Sequence, residues 1–387
     1  MKTIILLALA SGCSWTQFDD LSDQTQPRAE EKPDGIKSSD YGIAIAGATM
    51  PTDTSGGKVA VLSSGPGSYS TLELDAGGTA LSLGDNETLG QHTIDSLTAA
   101  ATLLFDGTSQ VALIDNSNVG TIVAITGSAD GLSVDQQIPT SVKPDATAFV
   151  NGEVVITATS AAMMPNMFSF KGGMPVISCG AVDTTTSMPL SAAAIAIDGT
   201  HLWVYTKAGA FFGYDLSALN ATATCTGLAP NTTTATAGVA ANGAHVDIVA
   251  SKYAVLTAFD LPSTSAGMVT VVDLTTMMVV GTPVAAKGVK SAAFDTFDGQ
   301  GVVVLGYPNR DDGSTTGAGA VDLHKIDVAA GTLEATPAQT LTIPGAASNH
   351  VFGRSVTTTK YNGKAIVVVA GDNTVYSYYA TQLYSKR

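Results

Sequence analysis

The feature that most constrains this chain is a turn dipeptide that returns at near-constant spacing, each time ahead of a strongly apolar run. Gly56-Gly57 precedes Lys58-Val59-Ala60-Val61-Leu62, and Asp106-Gly107 precedes Val111-Ala112-Leu113-Ile114. Asn151-Gly152 precedes Val154-Val155-Ile156, and Asp198-Gly199 precedes Leu202-Trp203-Val204-Tyr205. Asp298-Gly299 then precedes Val302-Val303-Val304-Leu305, and Asn362-Gly363 precedes Ala365-Ile366-Val367-Val368-Val369. Asn-Gly and Asp-Gly supply the positive φ angles that two-residue hairpin turns need, so each marks a tight strand-to-strand connection. The second turn residues stand at 57, 107, 152, 199, 299 and 363, at intervals of 50, 45, 47, 100 and 64. The interval of 100 is two periods, with a member that has lost its glycine, Ala250-Ser251-Lys252 before Tyr253-Ala254-Val255-Leu256. The last interval is lengthened around Asn309 to Gly317 and Gly331 to Gln339.

Seven units of ~50 residues, each with about four short antiparallel strands, predict an all-β chain folded as a seven-bladed β-propeller. One four-stranded blade cannot cover both its faces, whereas neighbours arranged around an axis cover each other. Buried strands then read as continuous Val/Ile/Ala runs, as these do, and half-exposed ones alternate, as in Ser70-Thr71-Leu72-Glu73-Leu74-Asp75. Composition agrees: 40 glycines and only 13% charged residues favour strands and turns over solvated helices. The chain runs out at Val375-Tyr376-Ser377-Tyr378-Tyr379, a third strand. The missing fourth strand is expected from the segment just before Tyr41 or from Thr381 to Tyr384.

The N-terminus carries an address. Lys2, the apolar run Ile4 to Ala10 and the small residues before Cys13 form a secretory signal pattern too short to span a bilayer. Leu9-Ala10-Ser11-Gly12-Cys13 resembles the lipobox of bacterial lipoproteins, with Ala10 where leucine is more usual. The resemblance implies cleavage after residue 12 and lipidation of Cys13, and Ser14 in the next position implies the outer membrane. Residues 13–40, polar and acidic with no sustained periodicity, read as a tether, leaving 41–387 for the propeller.

Within the repeats, His350-Val351-Phe352-Gly353-Arg354-Ser355-Val356, followed by Asn362 to Gly371 and Val375-Tyr376-Ser377-Tyr378, resembles an FG-GAP repeat of integrin-α-like propellers. Tyr41 to Gly47 and Val304-Leu305-Gly306-Tyr307-Pro308 resemble parts of two more. Such propellers usually carry a calcium loop. Registered on Asp298-Gly299, its other ligand positions hold Phe294, Thr296 and Val302, a set that does not fit calcium, so that loop is degenerate.

Candidate chemistry is sparse. With Cys13 lipidated, Cys179 and Cys225 remain, one repeat apart on equivalent outer strands; in an oxidising envelope they are a candidate disulfide, or else two half-buried thiols. The five histidines fall in separate repeats without zinc-protease spacing, and no nucleophile elbow or P-loop occurs, so no catalytic set, resident metal or cofactor is expected. Asn309-Arg310-Asp311-Asp312 is the candidate ligand loop, with a solvated connection as the plainer alternative. Met163, Met164 and Met167 are the one thioether cluster suited to Cu(I), though adaptable packing is the commoner role.

With 33 acidic against 18 basic residues the net charge is −15, which disfavours nucleic acid as a partner. The reading therefore predicts a module held to the cell envelope by its acyl chain, binding or scaffolding an envelope protein or glycan. The alternative is an envelope enzyme, a hydrolase or lyase, with its site on the loop face of the propeller. That alternative requires ionisable side chains converging near the central channel.

Overall fold

The computed structural model describes strands within residues 28–183, and then residues 188–199, 201–215, 239–240, 243–260, 267–297, 299–311, 313, 315–343, 348–361, 364–371 and 375–379. All the described strand ladders are antiparallel. After β1 (Arg28–Ala29), a first sheet holds β2 (Ala44–Gly47), β3 (Lys58–Leu62), β4 (Ser68–Leu74) and β5 (Leu81–Leu83) in that order, with β6 (His92–Thr93) also on β4. The next runs β7 (Ala101–Phe105), β8 (Gln110–Asp115), β9 (Thr121–Ser128) and β10 (Gly131–Pro139). Then come β11 (Pro144–Val150), β12 (Glu153–Ala158), β13 (Met167–Lys171) and β14 (Met174–Cys179), and a small ribbon of β15 (Val182–Asp183) and β16 (Met188–Pro189).

The following sheet is β17 (Ala192–Asp198), β18 (His201–Thr206) and β19 (Phe211–Asp215). It is followed by β20 (Ala244–Val249), β21 (Tyr253–Ala258), β22 (Met268–Asp273) and β23 (Met278–Ala285). Next stand β24 (Ser291–Phe297), β25 (Gln300–Tyr307), β26 (Ala320–Asp327) and β27 (Thr332–Leu333), with β28 (Gln339–Leu341) also on β26. The last sheet is β29 (Ser355–Tyr361), β30 (Lys364–Ala370) and β31 (Val375–Tyr379), and its fourth strand is β1. Arg28 pairs with Ser377 and Ala29 with Tyr376. The completing strand thus comes from the segment before Tyr41, out of the stretch read as tether.

Each repeated dipeptide falls between the first and second strands of a sheet, where the sequence places it. The member without glycine keeps the same shape: Ala250 and Ser251 both hold φ of 51°, a region that costs an L-residue energy. Second strands are covered on both faces. All six residues of β21 are buried, as are seven of the eight in β25. That is why they read as unbroken apolar runs rather than alternating ones.

The core is a series of layers between neighbouring sheets. Ala146, Val155 and Met167 pack on Leu202, Val204 and Phe212. The opposite face of β18 gives Tyr205, which with Phe211 meets Ala254, Leu256 and Val272. Tyr253, Val255 and Val271 meet Ala292, Val303 and Leu305, and Val302, Val304 and Leu323 meet Phe352, Val367 and Val369. Alternate residues along one strand therefore serve two different layers, a direct consequence of the period-2 pleat. The first strands stand side by side: β17 lies next to β11 and β20, β24 next to β20 and β29, and β2 next to β29 and β7.

Candidate functional site

Because β17, β20, β24 and β29 are the first strands of their sheets, their N-terminal ends and the loops joining second to third strands share one face. The first-to-second turns occupy the other. On the turn face the first-to-second connections are short except for the ten-residue β2–β3 link, and side chains staple neighbours there. The Ser251 hydroxyl donates to Asp198 at 3.0 Å, and Tyr253 Oη donates to the carbonyl of Ala329 at 2.9 Å. On the loop face the connections of three successive sheets lengthen, from 207–210 to 259–267 and then to 308–319.

The 308–319 loop contains the candidate ligand residues, and its geometry is that of a braced strut. Arg310 turns inward, donating from both terminal nitrogens to the Asp322 carboxylate on β26 at 2.8 and 2.7 Å. Its guanidinium lies 3.8 Å from the centre of the Tyr307 ring. Asp322 also accepts the Thr340 hydroxyl at 2.6 Å. Burial first, and then the nearby Asp322 charge, push the Tyr307 phenol up to about 12, against the opposing pull of Arg310. Asp311 accepts the backbone N–H of Gly317 at 2.9 Å, closing the loop on itself, and Asn309 near its start is exposed. Asp312 lies outside the described residues.

The far side of this loop is laced to the strand entering β29. Asn349 N–H donates to Thr316, Val351 N–H to Gly317 and Phe352 N–H to Ala318. The approach is close enough that a Cβ on Gly319, which holds φ of 85°, would stand 2.1 Å from the Phe352 carbonyl oxygen. Only glycine fits there.

Other charged groups on this face also join neighbouring sheets. The Lys207 ammonium pairs with Asp145 at the start of β11. The Lys290 ammonium donates to the carbonyl of Asp260 at 2.6 Å, while the Asp260 carboxylate accepts the N–H of Gly288 at 2.9 Å. Deeper in, on β20, His245 Nε2 stands 3.0 Å from Asp247 Oδ1. The two are i and i+2 on one strand and so share a face. Burial by itself lowers the imidazole pKa, but the charge and hydrogen bond of Asp247 outweigh it and hold the group above the usual 6.5. This pair was not singled out in the sequence, where histidines were compared only with one another; the His-x-Asp spacing on a strand was the available signal.

The remaining sequence candidates are placed as follows. Met167 is fully buried in the layer between the β11 and β17 sheets, while Met163 and Met164 lie outside the described residues. Cys179 ends β14, in register with Met167, and its candidate partner Cys225 lies outside the described residues, as does Cys13. His324 is buried with a ring nitrogen 3.0 Å from the Glu334 carbonyl oxygen. Among the described residues no group of three or more His, Cys, Asp or Glu side chains is placed to hold a metal ion. No helix among them is long and apolar enough to cross a membrane.

No family model matches the sequence, and no curated protein does. Solved structures do match. The chain is similar to the WD40 β-propeller domain of Doa1, with a TM-score of 0.53 and 13% identity over 94% of this chain and 99% of that one. A computationally designed protein, Ika8, aligns with a TM-score of 0.47 and 12% identity, over 88% and 96% of the two chains. At this identity the Doa1 likeness speaks to the fold alone, and it agrees with the antiparallel sheets and inter-sheet layers: this is a β-propeller.

Proposed function

We propose that the chain is a cell-envelope lipoprotein whose seven-bladed β-propeller presents its loop face to an envelope protein or glycan. The observation that carries this reading is the inequality of the two faces. Apart from the ten-residue β2–β3 connection, the first-to-second connections are four residues or fewer, whereas the second-to-third connections range from four to twelve residues and differ in chemistry from sheet to sheet. A scaffold with mostly tight turns on one rim and unequal loops on the other suits recognition by loops on rigid strands. The repeat spacing, the row of first strands that brings β2 beside β29, and β1 as the fourth strand of the last sheet support seven blades. An FG-GAP-like character is supported by Phe352-Gly353, a fully buried ring followed by a glycine at φ of 87°. The lipobox-like Leu9 to Cys13 supports an acyl anchor in the outer membrane, and the −15 charge argues against nucleic acid.

The test is mild crosslinking and pull-down of the full-length protein from its native envelope, beside a Cys13→Ala form. A stoichiometric protein or a defined glycan retrieved with the lipidated form supports the reading; retrieval of neither overturns it. A second reading, a hydrolase or lyase on the loop face, draws on one observation: His245 and Asp247 converge on a first strand, where an enzyme would need ionisable groups.

A further inference from the structure

His245 combines two properties that ordinary surface or core histidines do not share. It lies on β20, an innermost strand flanked by β17 and β24, yet its side chain keeps 38% of its surface open to solvent and that of Asp247 keeps 20%. Among the described residues the groups facing it are few. On β21 its register partner is Thr257, whose buried hydroxyl makes no hydrogen bond among the described residues; Val255 and Tyr253 follow on the same face. From β24 the same layer receives Ala292 and Phe294, while Asp295 pairs with Val302 and serves the layer toward β29. Above the strand ends stand Asp260 and Lys290, already joined to each other's segments. From β17, Ala194 and Ala196 pack on the far face of β20. Among the described residues, Asp247 is therefore the charge that acts on His245.

We propose that His245 and Asp247 form a proton-operated charge switch on the inner rim between the β20 and β24 sheets. With the imidazole protonated the pair is neutral overall and the carboxylate is engaged by an ion pair. With it deprotonated the rim carries one uncompensated negative charge, open to solvent through the exposed edges of both side chains. A cationic group entering the rim would be favoured by the deprotonated, negatively charged pair, and an anionic one would be repelled less by the protonated, neutral pair. The sign for stability follows from a folded pKa above the unfolded 6.5. The pair's contribution is fully present below 6.5 and is lost as pH rises through the folded pKa.

The test is side-chain NMR of the full-length folded protein across pH 5 to 9, with the His245 signal assigned by its absence in His245→Gln. The expected midpoint lies above 6.5 in the parent and at or below 6.5 in Asp247→Asn, where burial acts alone. The melting-temperature gap between the parent and His245→Gln should be about 1–2 °C wider at pH 5.5 than at pH 8.5. A parent midpoint at or below 6.5, or one that Asp247→Asn leaves in place, overturns the proposal. Should His245→Gln fail to fold, the parent and Asp247→Asn titrations decide alone.

Discussion

Replacing Arg310 by alanine should loosen the loop-face strut, and the size of the effect can be worked from its contacts. The substitution deletes two charge-assisted bonds to a carboxylate whose side chain is only 7% exposed, and a guanidinium stacked 3.8 Å over Tyr307. Breaking a buried ion pair from one side costs about 3–5 kcal/mol, because the remaining charge stays buried. Here Arg310 is 34% exposed, so water follows it out, and Thr340 still donates to Asp322. These facts bring the pair to about 2–2.5 kcal/mol, and the lost ring contact adds about 0.5 kcal/mol. The expected destabilisation is about 3 kcal/mol. Arg310→Lys keeps a charge but loses the two-pronged geometry and should lose about half as much. Urea unfolding followed by Trp203 fluorescence reads the change, since that indole lies in the layer between the β17 and β20 sheets. A loss below about 0.5 kcal/mol for Arg310→Ala, or equal losses for Lys and Ala, would refute the strut.

Two further outcomes concern local chemistry. Thr257→Val and Thr270→Val each remove a buried hydroxyl without a hydrogen-bond partner among the described residues, so each should be neutral or stabilising by up to about 1 kcal/mol in the same unfolding assay; a clear loss of stability would mean that the hydroxyl has a partner. Ala250→Gly should stabilise by about 0.5–1 kcal/mol, because Ala250 now holds φ of 51° without the freedom of glycine. A clear loss there would mean that the turn is not strained by its alanine.

How far the sequence could be read depended on the range of the interaction. Hairpins were legible because Asp198-Gly199 or Asn362-Gly363 acts on its immediate neighbours, and the apolar runs after them became doubly covered second strands. The Ala250-Ser251 turn was found only from the period, since its backbone shape survives without its usual residue. The loop 309–312 was legible as a loop, but its inward Arg310 was not. That bond joins residues 12 apart and depends on which way the chain turns after Tyr307. Lacing of the same loop to Asn349, Val351 and Phe352 was likewise hidden, since backbone N–H groups carry no sequence signature. The His245 and Asp247 pair was visible in principle, because strand spacing of two always puts side chains on one face.

The most direct test of the propeller account is whether the two ends of the chain meet in one sheet. Arg28 and Ser377 are register partners between β1 and β31, close enough for a disulfide once both are cysteine. Arg28→Cys with Ser377→Cys, oxidised in the folded full-length chain and mapped by mass spectrometry, should give a peptide joining the two segments. That product should vanish when the chain is unfolded before oxidation, or when Arg28→Cys is made alone. If the folded double variant oxidises only elsewhere, the N-terminal segment does not complete the last sheet, and that part of the propeller account is contradicted.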